Sequence, residues 1–264
     1  VMHEGDSLKQ GFEFEAAKEF HSLDPGRTSQ DMLEATGRLL GARPLATGRY
    51  TAYFEPKAFT DLLRILAFML SGKNVSEGRS RLAGRLGQRV AAAGLTLVDD
   101  PLLETGLANR PFDSEGTPAH AVTLIEDGVL QSYLHNSQTA RALGQPNTGH
   151  AVRHYRSTLE VGPSNLFVRP GRGVRPDNGV IVTGMMGLHA GANPISGDLS
   201  LQAFGLLVQD GEIAHPVENF ALSGNLLEML ARITGLGDTL DWKMSGFAAG
   251  APMIEIAEVS FAGA

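Results

Sequence analysis

The sequence contains no cysteine, and this absence excludes several classes of protein. A disulfide scaffold, a zinc ribbon, a thiolate nucleophile and an iron–sulfur site all require cysteine. Basic residues are also few, with 22 lysines and arginines against 29 aspartates and glutamates, which gives a formal net charge of -7. Because a protein that neutralises nucleic-acid phosphates needs a basic surface, we expect no nucleic-acid partner.

Long apolar runs are missing as well. The longest, residues 62–70, contains Arg64 and is far too short to cross a bilayer. The first ten residues have neither the basic region nor the apolar run of a signal peptide. We therefore expect a cytoplasmic protein without a membrane partner.

Glycine and proline are plentiful, with 32 and 13 of the 264 residues. Such a composition is typical of chains with many turns and short strands. Asp127-Gly128 and Asp210-Gly211 each stand between two apolar runs, and Asp-Gly in that setting predicts a β-hairpin. Strands in series with helices set apart indicate an α+β fold with mostly antiparallel sheets, hairpins and a few packed helices.

Hydrophobic periodicity predicts four helices and several further strands. The helices are predicted at residues 28–41, 56–71, 80–93 and 224–236. The strands are predicted at 50–54, 165–169, 179–183, 199–208 and 253–261, with another inside 4–20 that turns Phe12 and Phe14 to one half-buried face. The 56–71 helix is apolar almost all the way round, so it must be buried in a core or between subunits, and we favour the core.

Two polar clusters are candidates for chemistry. His150 and His154 lie four residues apart, which is the spacing of zinc ligands on one helical face. Four carboxylates in a short polar stretch could bind a divalent cation or act as general acids; they are Asp99, Asp100, Asp113 and Glu115. Both clusters also fit ordinary turn and loop chemistry, which we favour. No nucleophile elbow, dinucleotide fingerprint or Walker loop is present.

The order of short motifs along the chain is more specific than any one of them. The series runs through Tyr50–Pro56, the apolar helix with Ser71-Gly72, Leu97–Pro101, Pro111–Gly116, Leu124–Leu130, Thr139–Arg141, Thr148–His150, Asn193 with Gly197–Ser200, and Ser223–Leu226. This series resembles the C-terminal domain of the TldD/PmbA family, whose members were once described as modulators of DNA gyrase and are understood as parts of a metalloprotease. The resemblance implies that residues 46–264 form that domain and that residues 1–45 are the end of a preceding central domain. Since the chain begins at Val1, we expect it to be a fragment of a longer protein.

The resemblance also bears on zinc. TldD-type members carry His-Glu-x-x-x-His after the first strand of this domain and a cysteine near the C-terminus, whereas the PmbA or TldE type lacks both. The corresponding stretch here, residues 53–60, has Glu55 and no histidine, and residues 250–255 have no cysteine. A hydrolytic zinc needs three protein ligands and an open position. We therefore expect a PmbA/TldE-type chain with no catalytic residue and no metal of its own, zinc being held only by a TldD-type partner.

The function that the resemblance implies is that of a non-catalytic subunit, which pairs with a TldD-type protease to process unfolded peptides or leader sequences. A homodimer is the expected assembly when the chain is isolated. The 56–71 helix and the 184–193 segment are candidates for the interface or the cleft. The residues predicted to line the cleft are Asp113, Glu115, Gly116, Thr148, His150 and Arg153.

Two other functions stay open at this point. One is a stand-alone metal-dependent hydrolase that uses His150, His154 and a carboxylate from the 99–115 stretch. The other is a modulator that acts directly on DNA gyrase, for which the acidic balance offers no DNA-binding surface.

Overall fold

Two β-sheets with a helix between them form most of the computed structural model, which describes residues 1–5, 7–244 and 246–263. The helices are α1 (Pro25–Gly37), α2 (Pro56–Leu70), α3 (Gly72–Ser76), α4 (Ser137–Leu143), α5 (Leu188–Gly191) and α6 (Leu226–Ala231). The strands are β1 (Met2–Glu4), β2 (Ser7–Lys9), β3 (Arg43–Pro44), β4 (Gly48–Phe54), β5 (Leu97–Asp99), β6 (Val122–Glu126), β7 (Val129–Leu130), β8 (Ala151–Val152), β9 (Glu160–Val161), β10 (Asn165–Val168), β11 (Gly179–Met186), β12 (Asp198–Gln209), β13 (Glu212–Asn225), β14 (Ile233–Leu236), β15 (Asp241–Met244), β16 (Ala248–Ala251) and β17 (Ile254–Ala262).

The larger sheet has seven strands in the order β14-β17-β4-β11-β12-β13-β3 and closes on itself. Closure comes from β17, which pairs with β4 along one edge and with β13 through residues 260–262 along the other. Bulges accompany the closure, and at two of them Asn219 and Glu258 adopt positive φ angles of 58° and 56°. Five strands thus form a ring, with β14 and β3 attached outside it.

The smaller sheet has six strands in the order β15-β16-β10-β5-β6-β7. Most pairings in the two sheets are antiparallel, and the parallel ones join β4 to β11, β10 to β16 and β3 to β13. Both predicted hairpins are present, since Asp127-Gly128 joins β6 to β7 and Asp210-Gly211 joins β12 to β13. The predicted α+β class is confirmed.

Helix α2 lies between the two sheets and packs against β11 of one and against β15 and β16 of the other. Ten of its fifteen residues are buried, including Phe59, Leu62 and Met69. Phe59 meets Phe54 of β4 edge to face, with ring centroids 6.1 Å apart. The helix is therefore a core helix, and its prediction as an interface helix is wrong because its apolar surface is already covered within the chain.

Two predicted elements are wrong, and others have different bounds. Phe12 and Phe14 do not form a half-buried strand, because their side chains are 84% and 41% exposed in irregular chain. The 80–93 segment is a series of turns in place of a helix, since Gly84 and Gly87 adopt left-handed angles and Gly87 N donates to Leu130 O. Helix α1 begins at Pro25, three residues before its predicted start, and α6 ends at Ala231, after which strand β14 follows.

Candidate functional site

Three of the six residues predicted to line a cleft, Asp113, Thr148 and His150, are buried in a polar region at the end of strand β5. Asp99, the last residue of β5, is fully buried and accepts three hydrogen bonds. Ser164 donates two of them, from N to Oδ2 at 2.8 Å and from Oγ to Oδ1 at 2.5 Å. The third partner is Nε2 of His150, 2.9 Å from Oδ1. A carboxylate removed from water is thereby satisfied by polar groups of the chain itself.

His150 is also fully buried, and both of its ring nitrogens are engaged. Nε2 contacts Asp99, and Nδ1 lies 2.9 Å from the hydroxyl oxygen of Thr148. No nitrogen is therefore free to bind a metal or to take a proton from a substrate. Serine, histidine and aspartate do meet here, but the Ser164 hydroxyl donates to the carboxylate and not to the imidazole, so the imidazole does not activate it as in a catalytic triad.

Thr148 extends the cluster to a second buried histidine. Its hydroxyl oxygen accepts a hydrogen bond from His135 N at 2.6 Å, and Nδ1 of His135 lies 3.2 Å from the hydroxyl oxygen of Thr139. Nε2 of His135 is buried without a hydrogen-bond partner among the described residues. Burial, with the nearby His150 as a smaller cause, lowers the pKa of His135 from 6.5 to about 4. His135 is therefore neutral at neutral pH.

Asp113 organises a turn in place of presenting its carboxylate to solvent. Its Oδ1 accepts from Glu115 N and Thr117 N, each at 2.9 Å, and its Oδ2 accepts from Ala151 N in β8 at 3.0 Å. The side chain is 2% exposed. Arg110 lies beside this carboxylate and Asp99, and burial lowers the pKa of its guanidinium although both carboxylates oppose that shift. These contacts fit the turn interpretation of the carboxylate stretch.

The other predicted cleft residues lie at the surface. Glu115, Gly116 and Arg153 are exposed, and Glu115 Oε2 accepts from Ser137 N at the start of α4 at 2.8 Å. Arg153 contributes its main-chain N–H to the Ser114 hydroxyl at 3.1 Å. The structure thus brings the six residues to one region, with Asp113, Thr148 and His150 inside and the other three outside. That they line a substrate cleft stays a prediction.

The metal alternative based on His150 and His154 gains no support from the geometry. His154 lies in an exposed loop, whereas His150 is buried with both ring nitrogens occupied. Across residues 1–5, 7–244 and 246–263, no three histidine or carboxylate side chains are grouped as metal ligands. The helical spacing was misleading because the 150–154 segment is strand and loop.

A second site lies elsewhere, in a groove of about 960 Å³ at the start of α2 and just before β17. Pro56, the first residue of α2, and Met253 line it. Three arginines also line it, namely Arg27, Arg172 and Arg175. The sequence analysis did not predict this site. Two of the lining arginines belong to a run of three that are spaced three residues apart, at positions 169, 172 and 175, and this run is the signal for the site in the sequence.

Main-chain hydrogen bonds hold the walls of this groove together. Gly171 N donates to Gly237 O at 2.7 Å, and Gly173 N donates to Leu236 O at 3.0 Å. Gly237 N in turn donates to Met253 O at 2.7 Å. A Cβ atom on Gly171 would lie 2.7 Å from Cβ of Leu236, so only glycine allows this close approach. The backbone that carries the arginines is thus fixed to the ends of β14 and β17.

The model of the PmbA/TldA metallopeptidase C-terminal domain matches residues 47–263 of the chain. The chain belongs to this family.

Named relatives are consistent with the PmbA branch of the family. PmbA of Escherichia coli O157:H7, a metalloprotease by name, is 29% identical over 244 residues, which are 91% of this chain and 53% of that protein. A proposed modulator of a DNA gyrase from Thermotoga maritima has a crystal structure that matches 98% of this chain and 60% of that one, with a TM-score of 0.90 and 34% identity. TldE from Thermococcus kodakarensis shares the fold, with a TM-score of 0.89 at 24% identity over 98% of this chain and 60% of that one.

The chain spans about half the length of the curated relatives that it matches. Every helix in the described part of the chain is too short or too polar to span a membrane, and the longest, α2, has fifteen residues.

Membership of the family makes the start of α2 the place to test for zinc. Glu55, the residue before the helix, is the one carboxylate in residues 53–60, and its Oε1 lies 3.0 Å from a guanidinium nitrogen of Arg38. The neighbouring Lys57 pairs with Glu13 at 2.8 Å. One carboxylate already held in an ion pair, beside a proline and without histidine, does not fit the ligand set that zinc requires.

Proposed function

We propose that this chain is a non-catalytic, PmbA/TldE-type subunit that pairs in the cytoplasm with a zinc-bearing TldD-type protease and helps it to process unfolded peptides or leader sequences. The observation that carries the proposal is the chemistry at the start of α2. Where the TldD type is expected to place zinc ligands, this family member has an ion-paired glutamate, a proline and, across the groove, Met253. Catalysis would then depend on the partner.

A free strand edge supports a role in handling peptides. Strand β15 pairs with β16 and with no other strand among the described residues. The Trp242 N–H of this strand donates to Oδ1 of Asp241 at 2.8 Å. An extended peptide can add to such an edge through main-chain hydrogen bonds, which suits substrates of varied sequence.

Exposed apolar side chains support the docking of a partner at the 184–193 segment. Met186 in this segment and Ile195 just after it have side chains that are 58% and 45% exposed. Burial of such side chains against a partner would remove apolar surface from water. This segment is therefore the interface that we propose for the TldD-type partner, or for a second copy when the chain is isolated.

The test mixes the full chain with the TldD-type protein of the same genome and measures association by analytical ultracentrifugation and cleavage of an unfolded protein. We expect a complex that cleaves faster than the TldD-type protein alone. Met186→Asp should weaken association roughly 10-fold or more, because it places a charge in an apolar contact. Ile213→Asp is the matched control, since Ile213 is 57% exposed in β13 near the Asp210-Gly211 turn.

A pair that neither associates nor cleaves faster than the TldD-type protein alone would refute the subunit proposal. Peptide cleavage by the purified chain alone, with stoichiometric zinc that is lost in His154→Ala, would favour the stand-alone hydrolase. Binding to DNA gyrase in the absence of any TldD-type protein would favour the direct modulator instead.

A further inference from the structure

The groove at the start of α2 contains cationic groups that the fold itself does not use. Arg172 and Arg175 are exposed, and their guanidinium groups form no ion pair or hydrogen bond with any described residue. Arg27, the third arginine, approaches Asp31 on its own helix only at 3.8 Å. Arginine is a fixed cation whose planar donors match a carboxylate, so three of them around one groove suit an anionic ligand.

The acidic residues of the same groove have other partners. Asp238 Oδ1 accepts from the Thr239 hydroxyl at 3.0 Å, and Asp241 Oδ1 accepts from Trp242 N at 2.8 Å. Neither lies within ion-pair distance of Arg172 or Arg175 in the described structure. The guanidinium groups of Arg172 and Arg175 are therefore not paired with a carboxylate of the groove, and they are available to an anionic ligand.

The groove is also organised before any ligand arrives. The main-chain bonds from Gly171 and Gly173 to the end of β14 fix the backbone that carries both free arginines. Pro56 places the amino end of α2, a fifteen-residue helix, at the same groove, and the helix dipole there favours negative charge. A fixed backbone lowers the ordering cost of binding.

We propose that this groove binds a carboxylate group of the peptide substrate through Arg172 and Arg175. The choice of a peptide as ligand rests on the proposed function, whereas the choice of a carboxylate rests on the arginines and the charge of the groove. A polyanion is a poorer ligand, because the chain carries a net charge of -7 and the groove itself contains Asp238 and Asp241. The carboxylate is supplied either by the peptide C-terminus or by an acidic side chain.

The test uses the full chain alone and a fluorescent six-residue peptide in three forms, with binding followed by anisotropy. One form ends in a free carboxylate, one in an amide, and one in an amide with an internal glutamate. We expect the first or the third form to bind at least roughly 10-fold more tightly than the plain amide, as expected for charge-assisted hydrogen bonds. Which of the two binds identifies the source of the carboxylate.

Two variants test whether the preference for a carboxylate peptide comes from the groove. A double variant, Arg172→Gln with Arg175→Gln, should lose the preference for the carboxylate form. Arg141→Gln should keep it, because Arg141 is also exposed, on α4, and has no side-chain partner in the described structure. Equal binding of all three peptides, or equal loss in both variants, would overturn the proposal. Circular dichroism spectra that match the parent chain show that a variant is folded.

Two further results separate this inference from others. If inorganic phosphate displaces the peptide at the concentration at which acetate does not, the groove is a phosphate site and the carboxylate assignment fails. If the chain binds the carboxylate peptide but does not associate with a TldD-type protein, the groove assignment stands and the subunit proposal fails. If it associates but shows no carboxylate preference, the subunit proposal stands and the groove assignment fails.

Discussion

At the scale of single residues, the buried cluster around Asp99 is built from groups that lie far apart in the chain. Asp99, His150 and Ser164 come from β5 and from two later loops, and all three are nearly or fully buried. The polar side-chain atoms of these three residues have hydrogen-bond partners, whereas Nε2 of the neighbouring His135 and Nε of the neighbouring Arg110 are buried without one among the described residues. The cluster therefore serves to join loops to the sheet, and one of the two unpaired atoms beside it belongs to a histidine.

That histidine makes stability depend on pH. Because burial lowers the pKa of His135 to about 4, the unfolded chain binds a proton near pH 6.5 that the folded chain does not yet bind. The free energy of unfolding should fall as the pH is lowered from 6.5 to about 4, by about 3 kcal/mol in total, and this contribution should not fall further below pH 4. Urea denaturation at several pH values measures it.

His135→Asn removes the titrating group and should flatten that part of the profile. His154→Asn, in an exposed loop, is the control and should leave the profile of the parent chain. An unchanged slope between pH 6.5 and 4 in His135→Asn would show that another group causes the acid lability.

At the scale of elements, the two Asp-Gly hairpins look equivalent in sequence but differ in their surroundings. A Cβ atom on Gly128 would lie 2.4 and 2.5 Å from the carbonyl oxygens of Ala91 and Ala92, whereas one on Gly211 would meet nothing within 4 Å. Both glycines have φ of +78°, so both substitutions carry the same left-handed strain. The hairpin of β6 and β7 is thus enclosed, and the hairpin of β12 and β13 is open at its tip.

Gly128→Ala should therefore destabilise the protein more than Gly211→Ala. We expect about 1 kcal/mol for Gly211→Ala from the backbone angle alone, and about 2–4 kcal/mol for Gly128→Ala, which adds overlap with two main-chain carbonyls. Thermal or urea denaturation of the two variants compares them directly. Equal losses would show that the 91–92 segment moves aside without cost.

Several elements could be predicted from the sequence because their signals are local. The period of α2 and the Asp-Gly turns need only neighbouring residues. Leu82, Leu86 and Val90 have the same helical period, yet the segment is not a helix because Gly87 bonds to Leu130, a contact 43 residues away that no local pattern contains.

The sites were harder to predict for the same reason. The six residues predicted to line the cleft do lie in one region. However, His150 is buried against Asp99, and that partner is 51 residues away in the chain. The arginine groove depends on the bond from Gly173 to Leu236, across 63 residues. A local sequence pattern shows which residue types are present. The burial of a side chain and its hydrogen-bond partners depend on contacts between segments that are distant in the chain.

At the scale of the whole molecule, the larger sheet closes through β17, and Phe261 fills the seam. Its side chain is 1% exposed and packs edge to face on Phe220 of β13 with centroids 5.0 Å apart, and it also contacts Tyr50 of β4. One aromatic side chain thus touches the two strands that flank β17 within the ring.

Phe261→Ala should cost about 3–5 kcal/mol in the free energy of unfolding, since it leaves a cavity where three strands meet. Phe112→Ala, at a ring that is 60% exposed, should change the same quantity little. Urea denaturation compares the two, and a small loss in Phe261→Ala would mean that the ring of strands does not depend on this contact.

The hydrogen bond from Trp242 N to Asp241 has a consequence for how the molecule meets its neighbours in a crowded cell. The bond occupies a main-chain donor of an edge strand, and the carboxylate that accepts it adds a negative charge to that strand. Charged side chains on an edge strand disfavour pairing between copies of a protein. On the proposed function, such an edge would favour brief binding of an extended chain over stable pairing of one copy with another.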